Sequence, residues 1–172
     1  MKCKPEIERH VVLICPDVHW NTGNIGRTCL GANAHLHLVK PLGFSLDSRE
    51  LKRAGLDYWH KIDLAVWSSF GEFIKKMGPR PGEVVLLTKN GARPFWSMPF
   101  SARLFLVFGS ETKGLPKNIL SRYPNAAFHI PISRKIRSLN LSTAAGIVLY
   151  ESLRQAKPDH GWNQTSDMKK PI

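Results

Sequence analysis

Three polar turns, each entered from a hydrophobic segment, carry the side chains of this chain that are best suited to chemistry. They cover residues 21–27, 108–116 and 138–142. Between them they supply an arginine, a glutamate and three asparagines, which can bind an anion, accept hydrogen bonds from amides and orient one another. Open α/β folds bind ligands at such turns, at the carboxyl ends of the strands. Three of them in one small chain indicate an active site.

Two familiar phosphate-binding motifs do not fit these turns. Residues 23–26 follow a predicted strand and open a helix, but the G-x-G-x-x-G spacing of dinucleotide-binding folds is absent. Residues 109–114 have the glycine spacing of a phosphate loop. Leu115 and Pro116 follow where that loop requires a lysine and then Ser or Thr, so its lysine and its magnesium ligand are missing.

Other kinds of site receive little support. His35 and His37 would lie on the same face of a strand as half of a metal site, but no further ligands follow at a convincing spacing, so we predict no metal. Ser110, Glu111 and His129 form no recognisable nucleophilic triad in sequence. The three cysteines are odd in number, lack a C-x-x-C spacing and fit reduced thiols, with Cys15 and Cys29 expected in the interior.

The charge of the chain favours a polyanionic partner. Its 25 Lys and Arg against 13 Asp and Glu give a net charge of +12, which predicts nucleic acid first and a membrane surface second, with a merely basic surface as the alternative. No apolar run approaches the roughly 18 residues of a membrane helix, and residues 1–10 lack the apolar core of a signal peptide. We therefore expect a soluble, cytoplasmic protein.

The hydrophobic pattern predicts a single α/β domain over residues 1–156, followed by a polar, flexible tail at 157–172. Strands are predicted at residues 11–15, 36–39, 62–67, 83–88, 104–108 and 127–130. Helices are predicted at 23–34 with Thr22 as N-cap, from Asp47 or Ser48 through Arg53, from Ser68 to Met77, and at 140–156. This alternation predicts a largely parallel six-stranded sheet with helices on both faces.

Five segments in this order resemble motifs of the SPOUT class of RNA methyltransferases, and within it the short TrmL-type enzymes. They are residues 21–27, 41–44, 53–58, 108–116 and 138–142, within a similarity that runs from about Val11 to Gln155. The resemblance implies the SPOUT fold with a C-terminal trefoil knot, a homodimer, and S-adenosylmethionine as methyl donor without a metal. It also implies methylation of the ribose 2′-hydroxyl at nucleotide 34, the wobble position, with the tRNA anticodon stem-loop as partner. A ribosomal-RNA ribose methyltransferase and a non-catalytic RNA-binding module are the alternatives.

The resemblance assigns catalytic roles to Arg27, Asn21, Glu111, Ser138 and Asn140. A guanidinium stays protonated at neutral pH, so we expect Arg27 to bind the phosphate beside the target ribose and to stabilise the developing alkoxide, rather than to act as a base. Glu111 is expected to orient Arg27 or to accept hydrogen bonds from loop amides. Asn21 is expected to brace Arg27 or the turn beneath it. Ser138 and Asn140 are also candidates to cap the last helix.

The cofactor is expected to be held mainly by backbone groups of three loops. The resemblance places these contacts at Leu87, Gly109, Ile130 and Ser138. A glycine at position 109 would let a ligand approach the backbone. Leu87 and Ile130 are either apolar walls for adenine or ordinary core residues at the ends of strands.

Several further residues are candidates for RNA contacts. The basic ones are Lys52, Arg53, Arg134, Lys135 and Arg137. Tyr58 and Trp59 are interpreted as core or dimer-interface residues, with stacking on an anticodon base as the alternative. His19 and Trp20 depart from the family pattern, which has smaller or proline-rich residues before Asn21. We therefore expect the methyl-transfer site to match the family, while these departures leave the exact choice of substrate open.

Overall fold

The computed structural model describes residues 7–46 and 56–156, which form one parallel sheet covered by helices. Its seven strands are β1 (Glu8–Ile14), β2 (His35–Val39), β3 (Leu64–Trp67), β4 (Val84–Leu87), β5 (Arg93–Pro94), β6 (Arg103–Phe108) and β7 (Ala127–His129). Its helices are α1 (His19–Gly31), α2 (Phe70–Met77), α3 (Lys117–Arg122) and α4 (Leu141–Gln155), with 3₁₀ turns at Leu56–Lys61 and Phe95–Ser97. None of the helices in this part of the chain is long and apolar enough to cross a membrane.

The strands lie in the order β3-β2-β1-β6-β4-β7-β5, and every neighbouring pair is parallel. The predicted parallel α/β architecture is therefore confirmed. The predicted number of six strands is wrong, because residues 93–94 pair with Phe128 and His129 as a seventh strand. A strand of two residues is too short to produce a periodic pattern in the sequence.

Alternate residues of the central strands build two cores, one on each face of the sheet. On one face, Val11 and Leu13 of β1 pack with residues of α1 and α4. On the other, Val12 and Ile14 pack with Phe73 of α2 and Ile119 of α3. Strands buried on both faces explain why the sequence shows continuous hydrophobic segments there rather than alternation.

The ends of the helices correct several predicted caps. Helix α1 begins at His19, after Val18, and Thr22 lies buried inside it with its hydroxyl donating to the carbonyl of Val18 at 3.4 Å, so Thr22 is not the N-cap. For α2 the cap is Ser69, whose Oγ accepts from the amide of Glu72 at 3.1 Å. The final helix agrees with its predicted bounds to within a residue. The predicted helix ending at Arg53 and the predicted tail lie outside the described residues.

A buried arginine fastens the far end of α4 to the sheet. Arg9 is 1% exposed, and its guanidinium donates to Oγ of Ser152 at 3.1 Å and to the carbonyls of Ser152 and Ala102 at 3.1 and 2.9 Å. Burial lowers the pKa of Arg9 to about 10, so it stays charged at neutral pH. With this end anchored, the first turn of α4 is held at the carboxyl ends of the strands.

Candidate active site

Glu111 joins the turn after β6 to the turn after β1. Its Oε2 accepts from the backbone amide of Asp17 at 2.8 Å, and its Oε1 accepts from Nδ2 of Asn21 at 2.8 Å. Asn21 is 5% exposed and lies in the first turn of α1. The carboxylate thus accepts a loop amide, one of the two roles expected for it, and it also fixes the start of α1.

Asn140 extends this contact to the turn before α4. Its Nδ2 donates to Oδ1 of Asn21 at 3.0 Å, and its Oδ1 accepts from the amide and the hydroxyl of Ser142 at 2.8 and 2.7 Å. A carboxylate only accepts, so Asn21 must turn its NH₂ toward Glu111 and its oxygen toward Asn140. The Glu111–Asn21–Asn140 network therefore has a single direction, and it links all three turns that the sequence singled out.

The N-cap of α4 is Asn140, since its Oδ1 also accepts from the amide of Thr143 at 3.4 Å. Ser138 lies exposed two residues earlier and does not cap the helix, so that part of the expectation is wrong.

The turn after β6 is stiffened by its own hydrogen bonds. The carboxylate of Asp17 accepts from the amide and hydroxyl of Thr112 at 3.2 and 2.6 Å, and these bonds lower the pKa of Asp17. Gly114 has a φ of +68°, which glycine adopts without strain. A Cβ at Gly109 would overlap the backbone of Gly114 and Leu115. The structure therefore requires a glycine at position 109 for closure of the turn, a reason that differs from the approach of a ligand that we expected.

Arg27 lies two helical turns further along α1, with its side chain exposed. Its Cζ is 5.4 Å from the centroid of the Tyr58 ring, within the range of a cation–π contact. Among the hydrogen bonds of residues 7–46 and 56–156, none joins Arg27 to Asn21 or Glu111. The expected bracing of Arg27 by those two side chains is not present, and the aromatic ring of Tyr58 lies against the guanidinium in their place.

Three of the four residues expected at the cofactor lie at adjacent strand ends, and the fourth, Ser138, lies in the turn before α4. Leu87 ends β4 and pairs with Phe108 of β6 on one side and Phe128 of β7 on the other. Gly109 directly follows β6, and Ile130 directly follows β7, where it packs half-buried against the core. Apolar side chains and backbone groups at three converging turns fit a purine and a sulfonium, which need shape and backbone hydrogen bonds rather than a counter-ion.

A cavity of about 250 Å³ lies among the turns that follow β1, β2 and β6. Its lining comes from the ends of β1, β2 and β6 and includes Asp17, Leu42, Ser110 and Lys113. In the described part of the chain, no group of three His, Cys, Asp or Glu side chains is placed to hold a metal ion.

Three contributors to the site were not identified from the sequence. Asp17 supplies the amide that holds Glu111, Tyr58 lies against Arg27, and Ser142 accepts from Nδ2 of Asn24 at 3.0 Å. Tyr58 was interpreted as a core or interface residue, and it does pack partly buried against the core. Its second role depends on the position of the 3₁₀ turn beside α1, for which the sequence holds no signal.

The comparisons with known proteins agree with this arrangement. Residues 8–150 match the model of the SpoU rRNA Methylase family. A tRNA (cytidine(34)-2′-O)-methyltransferase of Burkholderia cenocepacia is 40% identical over 148 residues, which cover 86% of this chain and 95% of the relative.

Two solved structures are similar in fold and sequence. One, from a study of 2-OH methylation of C/U34 on tRNA, has a TM-score of 0.81 and 39% identity, covering 89% of this chain and 98% of the other. An AdoMet-bound rRNA methyltransferase from Sinorhizobium meliloti has a TM-score of 0.77 and 30% identity, covering 88% of this chain and 58% of the other. With a family match over most of its length and a strand order that brings the three matching turns together, this chain belongs to the SpoU rRNA methylase family.

Proposed function

We propose that this protein transfers a methyl group from S-adenosylmethionine to the ribose 2′-hydroxyl of nucleotide 34 of tRNA. The observation that carries this proposal is the Glu111–Asn21–Asn140 network, which holds three loops together on the same helix that presents Arg27. The relatives of this length act, by their names, on cytidine 34 of tRNA, which favours tRNA over ribosomal RNA.

The cofactor would lie against Leu87, Gly109, Ile130 and Ser138. When bound, S-adenosylmethionine supplies a methyl group on a positively charged sulfur, which is the electrophile of the reaction. Leu87 and Ile130 would wall the adenine, while the backbone at Gly109 and Ser138 would orient the ligand. The solved relative with AdoMet bound supports this choice of donor.

Arg27 would hold the phosphate beside the target ribose. In the overall step the bond from sulfur to the methyl carbon breaks, a bond from that carbon to the 2′-oxygen forms, and the hydroxyl proton leaves. Because the guanidinium remains charged, it would stabilise the oxygen as negative charge develops there. The ring of Tyr58 against the guanidinium limits the positions that this long side chain samples. Asn140 and Asn21 position the surrounding loops rather than taking up the proton.

The basic surface beside these loops would contact the RNA backbone. Lys113, Arg134, Lys135 and Arg137 are all exposed near the turns after β6 and β7. Together with the net charge of +12, they predict binding that weakens steeply as salt rises. Lys52 and Arg53 lie outside the described residues.

A homodimer is part of the proposal. Ile147 and Tyr150 lie on one face of α4 with 39% and 49% of their surfaces exposed, and Tyr150 reaches toward Gly31 at the end of α1. Adjacent exposed apolar side chains on one helix face are typical of an interface. We place the protein in the cytoplasm, where its proposed substrate is processed.

The trefoil knot is also proposed. Strand β7 lies two positions from β6, yet α4, which follows it, packs against α1, β1 and β6. The chain after β7 must therefore cross back past the end of β4. A Cβ at Gly91 would overlap the backbone of Phe128, so the segment after β4 and the strand β7 pass in direct contact. This crossing supports the threading that the resemblance implies.

The test is incubation of the protein with total tRNA and labelled S-adenosylmethionine, followed by nucleoside mapping. We expect label on the ribose of nucleotide 34. Label confined to ribosomal RNA in a parallel reaction would favour the second candidate. Absence of S-adenosylhomocysteine binding in calorimetry at millimolar ligand would favour a non-catalytic RNA-binding module.

A further inference from the structure

Trp20 is the most exposed large hydrophobic side chain among the described residues, with 62% of its surface accessible. It lies in the first turn of α1, directly before Asn21 of the site network. Single exposed hydrophobic side chains are common on protein surfaces, so the exposure carries no argument alone. The argument comes from what surrounds the indole.

The indole shares one face of α1 with Arg27. Residues 20, 24 and 27 are spaced by four and three, which places them along one stripe of the helix, and all three are exposed. Seven residues of helix separate Trp20 from Arg27 by about 10 Å along the axis. Asn24, between them, donates to Ser142 at the start of α4, so this stripe borders the proposed methyl-transfer site.

The indole of Trp20 also contacts a neighbouring aromatic ring. The ring of His19 meets it edge-on with centroids 4.7 Å apart, and the ring of Phe44 lies 6.4 Å from His19. The loop that carries Phe44 is held against the strand end, since the amide of Gly43 donates to the carbonyl of Pro16 at 2.9 Å. Trp20, His19 and Phe44 therefore form a contiguous aromatic cluster, the aromatic shelf, beside the first turn of α1.

We propose that the aromatic shelf is a subsite for an unpaired base next to the target nucleotide, with the base stacked on Trp20. This inference rests on the proposed function and adds a specificity-determining residue to it. Unpaired bases bind proteins by stacking on aromatic side chains, and the flat face of a base can stack on the indole of the shelf. The phosphates of the same RNA strand would lie against the positive charge of this protein. An RNA loop fits these features better than a peptide, because Arg27, which is proposed to hold a phosphate, lies on the same stripe of α1 as Trp20.

The test compares Trp20→Ala, Trp20→Phe and the control Trp96→Ala. Trp96 is 54% exposed, but its carbonyl accepts from Gln155 at the far end of α4, about 20 Å of helix from Asn140. We expect Trp20→Ala to raise the KM for an anticodon stem-loop RNA about tenfold, with kcat and S-adenosylhomocysteine affinity near wild type. Trp20→Phe should restore most of that loss, and Trp96→Ala should behave as wild type.

A second measurement separates this inference from the proposed function. Titration with the same RNA should quench tryptophan fluorescence in the wild-type protein, and the quenching should shrink in Trp20→Phe but not in Trp96→Ala. This readout needs no methyl transfer, so it tests the shelf even if the enzyme modifies a different RNA. An unchanged KM in Trp20→Ala together with unchanged quenching in Trp20→Phe would overturn the inference. A shift of Trp20→Ala toward monomer in analytical ultracentrifugation would also overturn it, by placing the indole in a subunit interface.

Discussion

Two polar clusters lie on the same sheet, and they differ in how their hydrogen bonds depend on protonation. At the carboxyl ends of the strands, the Glu111–Asn21–Asn140 network contains two amides, which do not titrate. Within the sheet, His10 of β1 and His37 of β2 are buried, with 3.0 Å between Nδ1 of the first and Nε2 of the second. The first cluster serves the proposed chemistry, and the second serves the fold.

The hydrogen bonds of the histidine pair also have a single direction. Nε1 of Trp67 donates to Nδ1 of His37 at 3.1 Å, so His37 carries its proton on Nε2 and donates it to His10. His10 must then carry its own proton on Nε2, which lies 3.5 Å from the carboxylate of Glu8 and, among the residues that the structure describes, is buried with no hydrogen-bond partner. Burial lowers the pKa of His10 to about 4 and that of His37 to about 3, so both are neutral at pH 7. The comparison therefore predicts that mild acid lowers the stability of the fold through the histidine pair, whereas the two amides of the site network do not respond to pH.

The largest expected effect comes from Arg27→Ala. This substitution should reduce methyl transfer by about 10²–10³-fold, the usual loss when one donor to a developing negative charge is removed. The melting temperature and the affinity for S-adenosylhomocysteine should stay near wild type, because the side chain is exposed and bonded to neither Asn21 nor Glu111 among the described contacts. Single-turnover kinetics and calorimetry provide the measurement. Wild-type turnover in this variant would remove Arg27 from the mechanism.

The histidine pair predicts a loss of stability in mild acid. An unfolded histidine titrates near pH 6.5, above the folded values, so the unfolded state takes up protons first and stability falls as the pH drops from about 6.5 toward 4. By pH 5 the loss reaches at most about 2 kcal/mol for each histidine. Urea unfolding at pH 7.5 and pH 5 measures it.

Two variants test whether this loss of stability comes from the two buried histidines. His10→Gln keeps an acceptor for the proton of His37 and removes one titrating ring, so the dependence of the unfolding free energy on pH should fall by about half. His37→Gln keeps an acceptor for Nε1 of Trp67 and removes the other buried ring, so it should lower this dependence by a similar amount. Equal slopes for all three proteins would show that other groups control the acid response.

Glu111→Gln tests whether the site requires a side chain at position 111 that accepts two hydrogen bonds and donates none. Glutamine has one oxygen and one NH₂, so one of the two donors it faces, the amide of Asp17 or the side chain of Asn21, loses its acceptor. Loss of one partner for a buried donor costs about 1–3 kcal/mol. We expect kcat to fall about tenfold to a hundredfold. Cofactor affinity should also fall if the side-chain amide of Asn140 rotates to exchange its oxygen and its NH₂.

The strands of the fold were predictable because burial on both faces leaves continuous hydrophobic segments in the sequence. The predicted strand at residues 104–108 is an example, and it occupies the centre of the sheet as β6. The start of α1 was placed four residues too late, since its N-cap Val18 offers no side-chain signal and Thr22 is a plausible cap in sequence.

The residues of the site were predictable one by one, but their connections were not. Asn21 and Glu111 are 90 residues apart in sequence, and Asn140 is 119 residues from Asn21. Which of them meet depends on the strand order, in which β6 lies next to β1 although 88 residues separate the end of β1 at Ile14 from the start of β6 at Arg103. For that reason the sequence could not decide between the two roles expected of Glu111, of which the bond to a loop amide is present and the contact with Arg27 is not, and the contact of Tyr58 with Arg27 was missed.

The smallest expected effect tests that contact, through Tyr58→Leu with Tyr58→Phe as its control. The leucine removes the aromatic face that lies 5.4 Å from Cζ of Arg27, and a partly exposed cation–π contact contributes about 0.5–1 kcal/mol. We expect kcat to fall about two- to fivefold in Tyr58→Leu and to stay near wild type in Tyr58→Phe, because phenylalanine keeps the ring. If both variants lose activity equally, the phenol hydroxyl rather than the ring matters. If neither variant loses activity, the position of Arg27 is set by the bound RNA. The site would then differ from the histidine pair, whose contacts are all formed within the protein.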